Sequence, residues 1–151
     1  MFQICFDYFS YMRKALILVA EDDLDDRFIL NNAFQEAGDT EELVFVENGV
    51  DLLQFLQGRN DGNYPELILL DLNMPKKNGK ETLNELKTHP LYKKIPVIVY
   101  TTTRNEAEIK ACYEIGANTY IVKPSTFDEV KSVVANIRNY WLSTLKGAMK
   151  I

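Results

Sequence analysis

The sequence has few of the residues that cross-link a chain or bind soft metals. It contains two cysteines, Cys5 and Cys112, and one histidine, His89, in 151 residues. Two cysteines this far apart form neither a disulfide framework nor a metal-binding motif, so we expect free thiols in a reducing cytoplasm. A single histidine in a Thr-His-Pro loop is typical of the surface, which argues against a histidine base, ligand or phosphocarrier.

Long apolar runs and a surplus of basic charge are also absent. No run approaches the ~20 apolar residues that span a bilayer, so we expect no membrane segment. Lysine and arginine number 17 against 22 aspartates and glutamates, a net charge of −5, which argues against a basic nucleic-acid-binding face. With 46% hydrophobic and 26% charged residues, the composition is that of a globular protein. Its length predicts one domain with a sizeable core.

Five short apolar runs, each of strand length, alternate with helical patterns along the chain. The runs cover residues 15–20, 43–46, 67–70, 96–101 and 118–122. Each is followed by apolar residues at helical spacing, and the last helix begins at about Thr126. Every crossover is long enough for parallel pairing, so the pattern predicts a doubly wound α/β sheet with helices on both faces.

The two ends of the chain lie outside this pattern. Residues 1–13 are an N-terminal extension with alternating aromatic residues, either an extra strand or arm that docks on a partner or a stretch upstream of the functional start. We assign residues 14–142 to the domain and 143–151 to a tail that continues the last helix. Tyr140 and Trp141 near its end either cap the core or anchor an interface.

Polar side chains follow four of the predicted strands. Asp22 and Asp23 follow the first strand, Asp71 the third, Thr101 the fourth and Lys123 the fifth. The carboxyl ends of parallel strands share one edge, where open α/β sheets bind ligands. Three carboxylates there favour a hard cation such as Mg²⁺, while the lysine suits an anion and the threonine offers a hydroxyl donor. The set suits phosphoryl transfer, with Asp71 as nucleophile. By themselves, acids before a helix could serve only as caps.

Four motifs in this order resemble the receiver domain of two-component response regulators. They are Val19-Ala20-Glu21-Asp22-Asp23, Leu70-Asp71-Leu72-Asn73-Met74-Pro75 with Gly79, Thr101, and Tyr120-Ile121-Val122-Lys123-Pro124. The resemblance covers about residues 14–142 and implies a flavodoxin-like, five-stranded parallel sheet of order 2-1-3-4-5 with five helices. The stretch 71–79, the run 101–103 and the stretch 116–120 further resemble stand-alone receivers that partner bacterial phytochrome-like sensor histidine kinases.

The resemblance implies a phosphoacceptor and a metal site. Asp71 would accept a phosphoryl group from a sensor histidine kinase, and Lys123 would contact that group. Asp23, Asp71 and the backbone carbonyl of Asn73 would bind Mg²⁺, with Asp22 acting mainly through water.

It also implies a switch. Thr101 would contact the phosphoryl group and move inward, and Tyr120 would follow it. The change would alter the face formed by the fourth helix, the fifth strand and the fifth helix. Asn73 and Thr103 would tune hydrolysis of the phosphoryl group. The Lys123–Pro124 peptide bond would be cis.

No DNA-binding or catalytic module is recognisable after the domain. We therefore expect output through a downstream protein partner, through relay to a histidine phosphotransfer protein, or through a homodimer. We expect a phosphoacceptor that promotes its own phosphorylation and slow dephosphorylation rather than an enzyme. A phosphohydrolase working through an aspartyl phosphate is an alternative, although many of these place a second acid where this chain has Asn73. A degenerate receiver acting as a constitutive binding module is another.

Overall fold

Five parallel strands form the centre of the structure, a computed structural model that describes residues 14–59 and 61–143. The strands are β1 (Ala15–Ala20), β2 (Glu41–Val46), β3 (Leu67–Leu70), β4 (Val97–Thr101) and β5 (Thr119–Val122). They pair in the order β2-β1-β3-β4-β5, and every pair is parallel. The predicted doubly wound sheet and its strand order are therefore confirmed.

Five α-helices connect and follow the strands within the described residues. They are α1 (Leu24–Glu36), α2 (Gly49–Gln57), α3 (Gly79–Thr88), α4 (Glu106–Ile115) and α5 (Phe127–Ile137). A short polar residue precedes each helix and accepts a backbone N–H of its first turn, which satisfies a donor that the helix itself leaves free. These caps are Asp23, Asn48, Asn78, Asn105 and Thr126.

Two apolar layers cover the two faces of the sheet. Side chains of β1 alternate between them, with Ile17 and Val19 on the α1 and α5 side and Leu18 and Ala20 on the α2 and α3 side, as the two-residue period of a strand requires. All four residues of β3 are buried, because this strand lies at the centre of the sheet. The residue that follows β3 is therefore attached to the most enclosed part of the fold.

The chain continues beyond α5 as a π-helical segment, Arg138–Ser143. Trp141 is half-buried against the α1 and α5 layer, whereas Tyr140 is exposed. Trp141 therefore belongs to the core. Residues 1–13 and 144–151 lie outside the described residues, so the domain bounds and both terminal segments stay predictions. No helix in residues 14–59 and 61–143 has the length and apolar character to cross a membrane.

One backbone expectation was wrong. The Lys123–Pro124 bond is not cis, since the described residues contain no cis peptide bond. The trans form is favoured by about 0.5–1 kcal/mol for a bond to proline. The Lys123 N–H donates to the Thr101 carbonyl at 2.8 Å, which continues the pairing of β4 and β5 by one residue.

Candidate functional site

Asp71 lies at the carboxyl edge of the sheet, directly after β3. Its backbone N–H donates to the Ala20 carbonyl of β1 at 3.1 Å, which extends the pairing of the two strands by one residue. The loop after it folds back tightly, and the Gly79 N–H donates to the Leu72 carbonyl at 3.0 Å. A Cβ on Gly79 would collide with the carbonyl oxygen of Asp71, so glycine is needed for this close approach.

Lys123 joins the end of β5 to three carboxylates. Its Nζ donates to Asp71 Oδ2 at 2.9 Å, to Glu21 Oε2 at 2.6 Å and to Asp26 Oδ2 at 2.7 Å. An ammonium has three N–H donors, so each is occupied. The side chains of Lys123, Glu21 and Asp71 are each less than a tenth exposed, whereas that of Asp26 is 37% exposed.

The two charged partners at the centre of this cluster stabilise each other's ionised forms. Burial by itself raises the pKa of Asp71, but the hydrogen bond and positive charge of Lys123 outweigh it, so this pKa is lowered from 3.8. Burial by itself lowers the pKa of Lys123, but its bonds to Asp26, Glu21 and Asp71 raise it above 10.5. Asp71 is therefore a carboxylate at neutral pH, the form in which it can act as a nucleophile.

Three acids at this edge could hold a metal ion. Oxygens of Glu21, Asp22 and Asp71 lie within 4.8 Å of one another. Carboxylate oxygens suit a hard divalent cation, and Asp22 is exposed, so the group has an open side. These residues therefore fit a metal, and they include Asp22 and Asp71 of the predicted set.

Asp23 is not brought into this group, and Glu21 takes its place. The Asp23 carboxylate turns to its own helix and accepts the Asp26 N–H at 3.0 Å, as an N-cap does. Strand register explains why Glu21 is near Asp71. Ala20 and Leu70 are paired in β1 and β3, so the residues that follow them come out side by side. The sequence carried one signal for Glu21, its place directly after β1, which matches the place of Asp71 directly after β3.

The remaining predicted residues are Thr101 at the end of β4, Asn73 and Thr103 on the loops after β3 and β4, and Tyr120 on β5. The Thr101 hydroxyl is buried near Asp71, whose pKa it helps to lower, and it makes no hydrogen bond of good geometry within the described part of the chain. The Tyr120 hydroxyl donates to the Thr103 carbonyl at 2.7 Å. Asn73 Nδ2 lies 3.4 Å from Thr103 Oγ1, and the Asn73 N–H donates to Asp71 Oδ1 at 3.2 Å. Asn73 and Thr103, the predicted hydrolysis-tuning pair, are therefore in contact with each other beside Asp71, and Thr103 also contacts Tyr120. We call the site formed by Glu21, Asp22, Asp71, Thr101 and Lys123 the pocket.

The sequence model of one protein family, the response regulator receiver domain, matches residues 17–135 of this chain. The chain is a member of this family. The receiver is 37% identical to the response regulator Rcp1 of Synechocystis sp. over 135 residues. The matched stretch covers 86% of this chain and 90% of Rcp1. The receiver is 32% identical over 110 residues to the chemotaxis protein CheY1 of Helicobacter pylori, which covers 73% and 86%.

Solved structures similar to the receiver include one with a bound metal and one phosphorylated protein. The Mn²⁺-bound form of Rcp1 superposes with a TM-score of 0.77 at 36% identity, covering 86% of this chain and 96% of that one. The phosphorylated cyanobacterial phytochrome response regulator RcpA superposes with a TM-score of 0.79 at 36% identity, covering 87% and 96%. The predicted family and its likeness to receivers of phytochrome systems are confirmed.

Glu21 makes the stability of the metal-free receiver depend on pH near neutrality. Burial raises its pKa from 4.5 to about 7, against the hydrogen bond from Lys123. Between these two values the folded protein keeps a proton that the unfolded chain releases, so the free energy of unfolding falls as pH rises through this window. The size of the fall is on the order of 2 kcal/mol. Asp71, whose pKa is lowered, acts in the opposite direction but only below about pH 4.

We expect Glu21→Gln, which cannot ionise, to remove this fall. The measurement is urea denaturation in the presence of a chelator between about pH 4.5 and pH 7.5. Glu114→Gln on the exposed face of α4 is the control, and its profile should follow the wild type. A wild-type profile with the same slope as that of Glu21→Gln would contradict the assignment.

Proposed function

We propose that this receiver accepts a phosphoryl group on Asp71 and signals through a phosphorylation-dependent change of the face formed by α4, β5 and α5. The observation that carries the proposal is the buried Lys123 ammonium bonded to Asp71 and Glu21, beside acids that could hold a metal. In the step, a carboxylate oxygen of Asp71 bonds to the phosphorus of a phosphohistidine. The P–N bond breaks, and the imidazole nitrogen leaves with its electron pair.

Each residue of the pocket has a part in that step. Asp71 is ionised because its pKa is lowered by Lys123 against the effect of burial. Lys123 supplies a positive charge for the phosphoryl oxygens, and the unpaired Thr101 hydroxyl is a free donor for one of them. We propose Mg²⁺ at Glu21, Asp22, Asp71 and the Asn73 carbonyl, where it would neutralise negative charge on the phosphoryl group.

Hydrogen bonds provide a route by which phosphorylation of Asp71 could alter the face formed by α4, β5 and α5. The Tyr120 hydroxyl rests on the Thr103 carbonyl, two residues beyond Thr101. A movement of Thr101 toward the phosphoryl group would therefore shift the acceptor that holds Tyr120. The Tyr120 N–H also donates to the Tyr113 hydroxyl of α4 at 3.0 Å, which couples β5 to α4. The switch is thus a rearrangement of contacts between β4, β5 and α4.

Asn73 favours a phosphoacceptor over a phosphohydrolase. It is an amide bonded to Thr103 and cannot supply the second acid that turnover through an aspartyl phosphate would use. We therefore propose that the receiver is not an enzyme but promotes its own phosphorylation and slow dephosphorylation. Relay to a histidine phosphotransfer protein is the second candidate, since the same aspartyl phosphate would serve it.

We place the protein in the cytoplasm, in keeping with the free thiol of Cys112.

Labelling with acetyl phosphate and Mg²⁺ tests the phosphoacceptor. We expect intact-mass spectrometry to show one added phosphoryl group on the wild type and none on Asp71→Asn. Asp128→Asn, at an exposed site in the first turn of α5, should be labelled like the wild type. Labelling that persists in Asp71→Asn would contradict the proposal, and steady turnover of phosphate esters would favour the phosphohydrolase.

Exposed apolar side chains at the rim of the pocket support a docking site for a sensor histidine kinase. Leu24 and Phe28 on α1 are 73% and 68% exposed, and Phe127 at the start of α5 is 37% exposed. Phe28, Ile29 and Phe127 line one groove between the two helices. Exposed apolar patches mark interaction surfaces. Since α1 follows the acids of β1 and α5 follows Lys123, a kinase bound here would present its phosphohistidine to Asp71.

We expect Phe28→Ala to slow phosphoryl transfer from the cognate kinase about tenfold, the cost of losing an interface aromatic. Labelling by acetyl phosphate should stay unchanged, because the pocket itself is intact. Tyr140→Ala removes a similarly exposed aromatic in the π-helical segment beyond α5 and should change neither rate. Equal transfer rates for Phe28→Ala and the wild type would show that the kinase does not dock through Phe28 on α1.

A further inference from the structure

Asp26 is bonded to Lys123 but is not one of the acids that could hold a metal. Asp26 Oδ2 accepts from Lys123 Nζ at 2.7 Å, close to the 2.6 Å at which Glu21 Oε2 accepts from the same nitrogen. Among the residues that the structure describes, the metal group consists of Glu21, Asp22 and Asp71. Lys123 therefore shares two of its three acceptors with the metal site, and Asp26 is the acceptor that it does not share.

This difference matters when the pocket is loaded. Glu21 and Asp71 must turn oxygens to a cation, and Asp71 must also bond to phosphorus. Both changes weaken their bonds to Lys123. A lysine is a flexible chain that ends in a point charge, so without a fixed partner its ammonium would no longer be held at the phosphoryl group. Asp26 has no competing task and can keep one of the three N–H groups while the other two turn to phosphoryl oxygens.

The first turn of α1 holds Asp26 in place. Its backbone N–H is capped by the Asp23 carboxylate at 3.0 Å. The next residue, Arg27, donates from Nε to the Glu21 carbonyl at 2.6 Å, which ties the helix to the end of β1. The backbone of Asp26 is therefore held by atoms other than the carboxylates that contact Lys123.

We propose that Asp26 is a positioning residue that holds the Lys123 ammonium for phosphoryl transfer, an inference that rests on the proposed function. It acts through Lys123 and has no contact with the phosphoryl group itself. Asp26 also lies in the first turn of α1, where an acid stabilises the helix dipole. Asp25 is in the same turn and provides the matched control, because its loss removes the same charge from the helix without removing a partner of Lys123.

The test compares Asp26→Ala with Asp25→Ala in two measurements. In the first, acetyl phosphate labels each protein at saturating Mg²⁺. We expect Asp26→Ala to be labelled about tenfold more slowly than the wild type, because a misplaced catalytic group costs this much or more. Asp25→Ala should be labelled at close to the wild-type rate, and Asp26→Glu should recover part of the loss. In the Lys123→Ala background, the further change Asp26→Ala should have no added effect.

The second measurement follows the Lys123 ammonium itself by ¹H–¹⁵N NMR of the lysine side chains. An ammonium held by buried acceptors exchanges its hydrogens slowly with water and gives a sharp signal. With Mg²⁺ bound, we expect this signal in the wild type and in Asp25→Ala and its loss in Asp26→Ala. Urea denaturation checks that both alanine variants are folded under the labelling conditions, and Asp26→Ala should have the lower free energy of unfolding because it removes a partner of the buried ammonium.

The outcomes separate the two proposals. If the wild type is not labelled on Asp71, the proposed function fails and the positioning role fails with it. If the wild type is labelled and Asp26→Ala matches Asp25→Ala in rate and in the Lys123 signal, only the positioning role is overturned. An equal loss from Asp26→Ala with and without Lys123 would also overturn it, since the effect would then not pass through the lysine.

Discussion

The pocket depends on one buried charge, the ammonium of Lys123. Moving an ion out of water costs several kcal/mol unless partners replace its hydration, and here three carboxylates do so. The same lysine allows Glu21 and Asp71 to lie side by side, since two buried carboxylates would otherwise repel each other. The arrangement connects β1, β3, β5 and α1, so the charge balance of the site is part of what holds this edge of the sheet together.

The carboxylates bonded to Lys123 can nevertheless exchange the lysine for another cation. The acids that neutralise Lys123 are largely those that could hold a metal, so a cation and the ammonium compete for the same oxygens. Burial raises the pKa of Glu21 to about 7, which adds a proton as a third competitor. A site whose ligands are already paired can exchange one cation for another at a small net cost. That property suits a phosphoacceptor that must be loaded and later emptied.

Sequence reasoning identified the fold because its signals were local and repeated. The five apolar runs and the helices between them required parallel pairing, and the strand order followed from the family resemblance. Asp71, Thr101 and Lys123 were predicted as site residues for a related reason, and the structure has each of them at or directly after the end of a strand. The cis bond at Pro124 was carried over from the family pattern, and the described residues do not contain one.

Glu21 and Asp26 were missed for a different physical reason. Counting acids after β1 selected Asp22 and Asp23, but the choice among neighbouring acids depends on the register with β3 and on which side chain caps α1. Asp26 lies three residues beyond its cap, and its contact with Lys123 joins positions that are 97 residues apart. Such contacts between distant parts of the chain leave no pattern in a single sequence.

We propose that Glu21, rather than Asp23, completes the acids that bind a cation in competition with Lys123. Titration of Mg²⁺ by calorimetry into the wild type, Glu21→Gln and Asp23→Asn tests it directly, since asparagine caps α1 as well as aspartate does. We expect Glu21→Gln to weaken Mg²⁺ binding at least about tenfold, or roughly 1.4 kcal/mol, and Asp23→Asn to change it less than about threefold. A larger loss from Asp23→Asn than from Glu21→Gln would show that Asp23, and not Glu21, binds the cation.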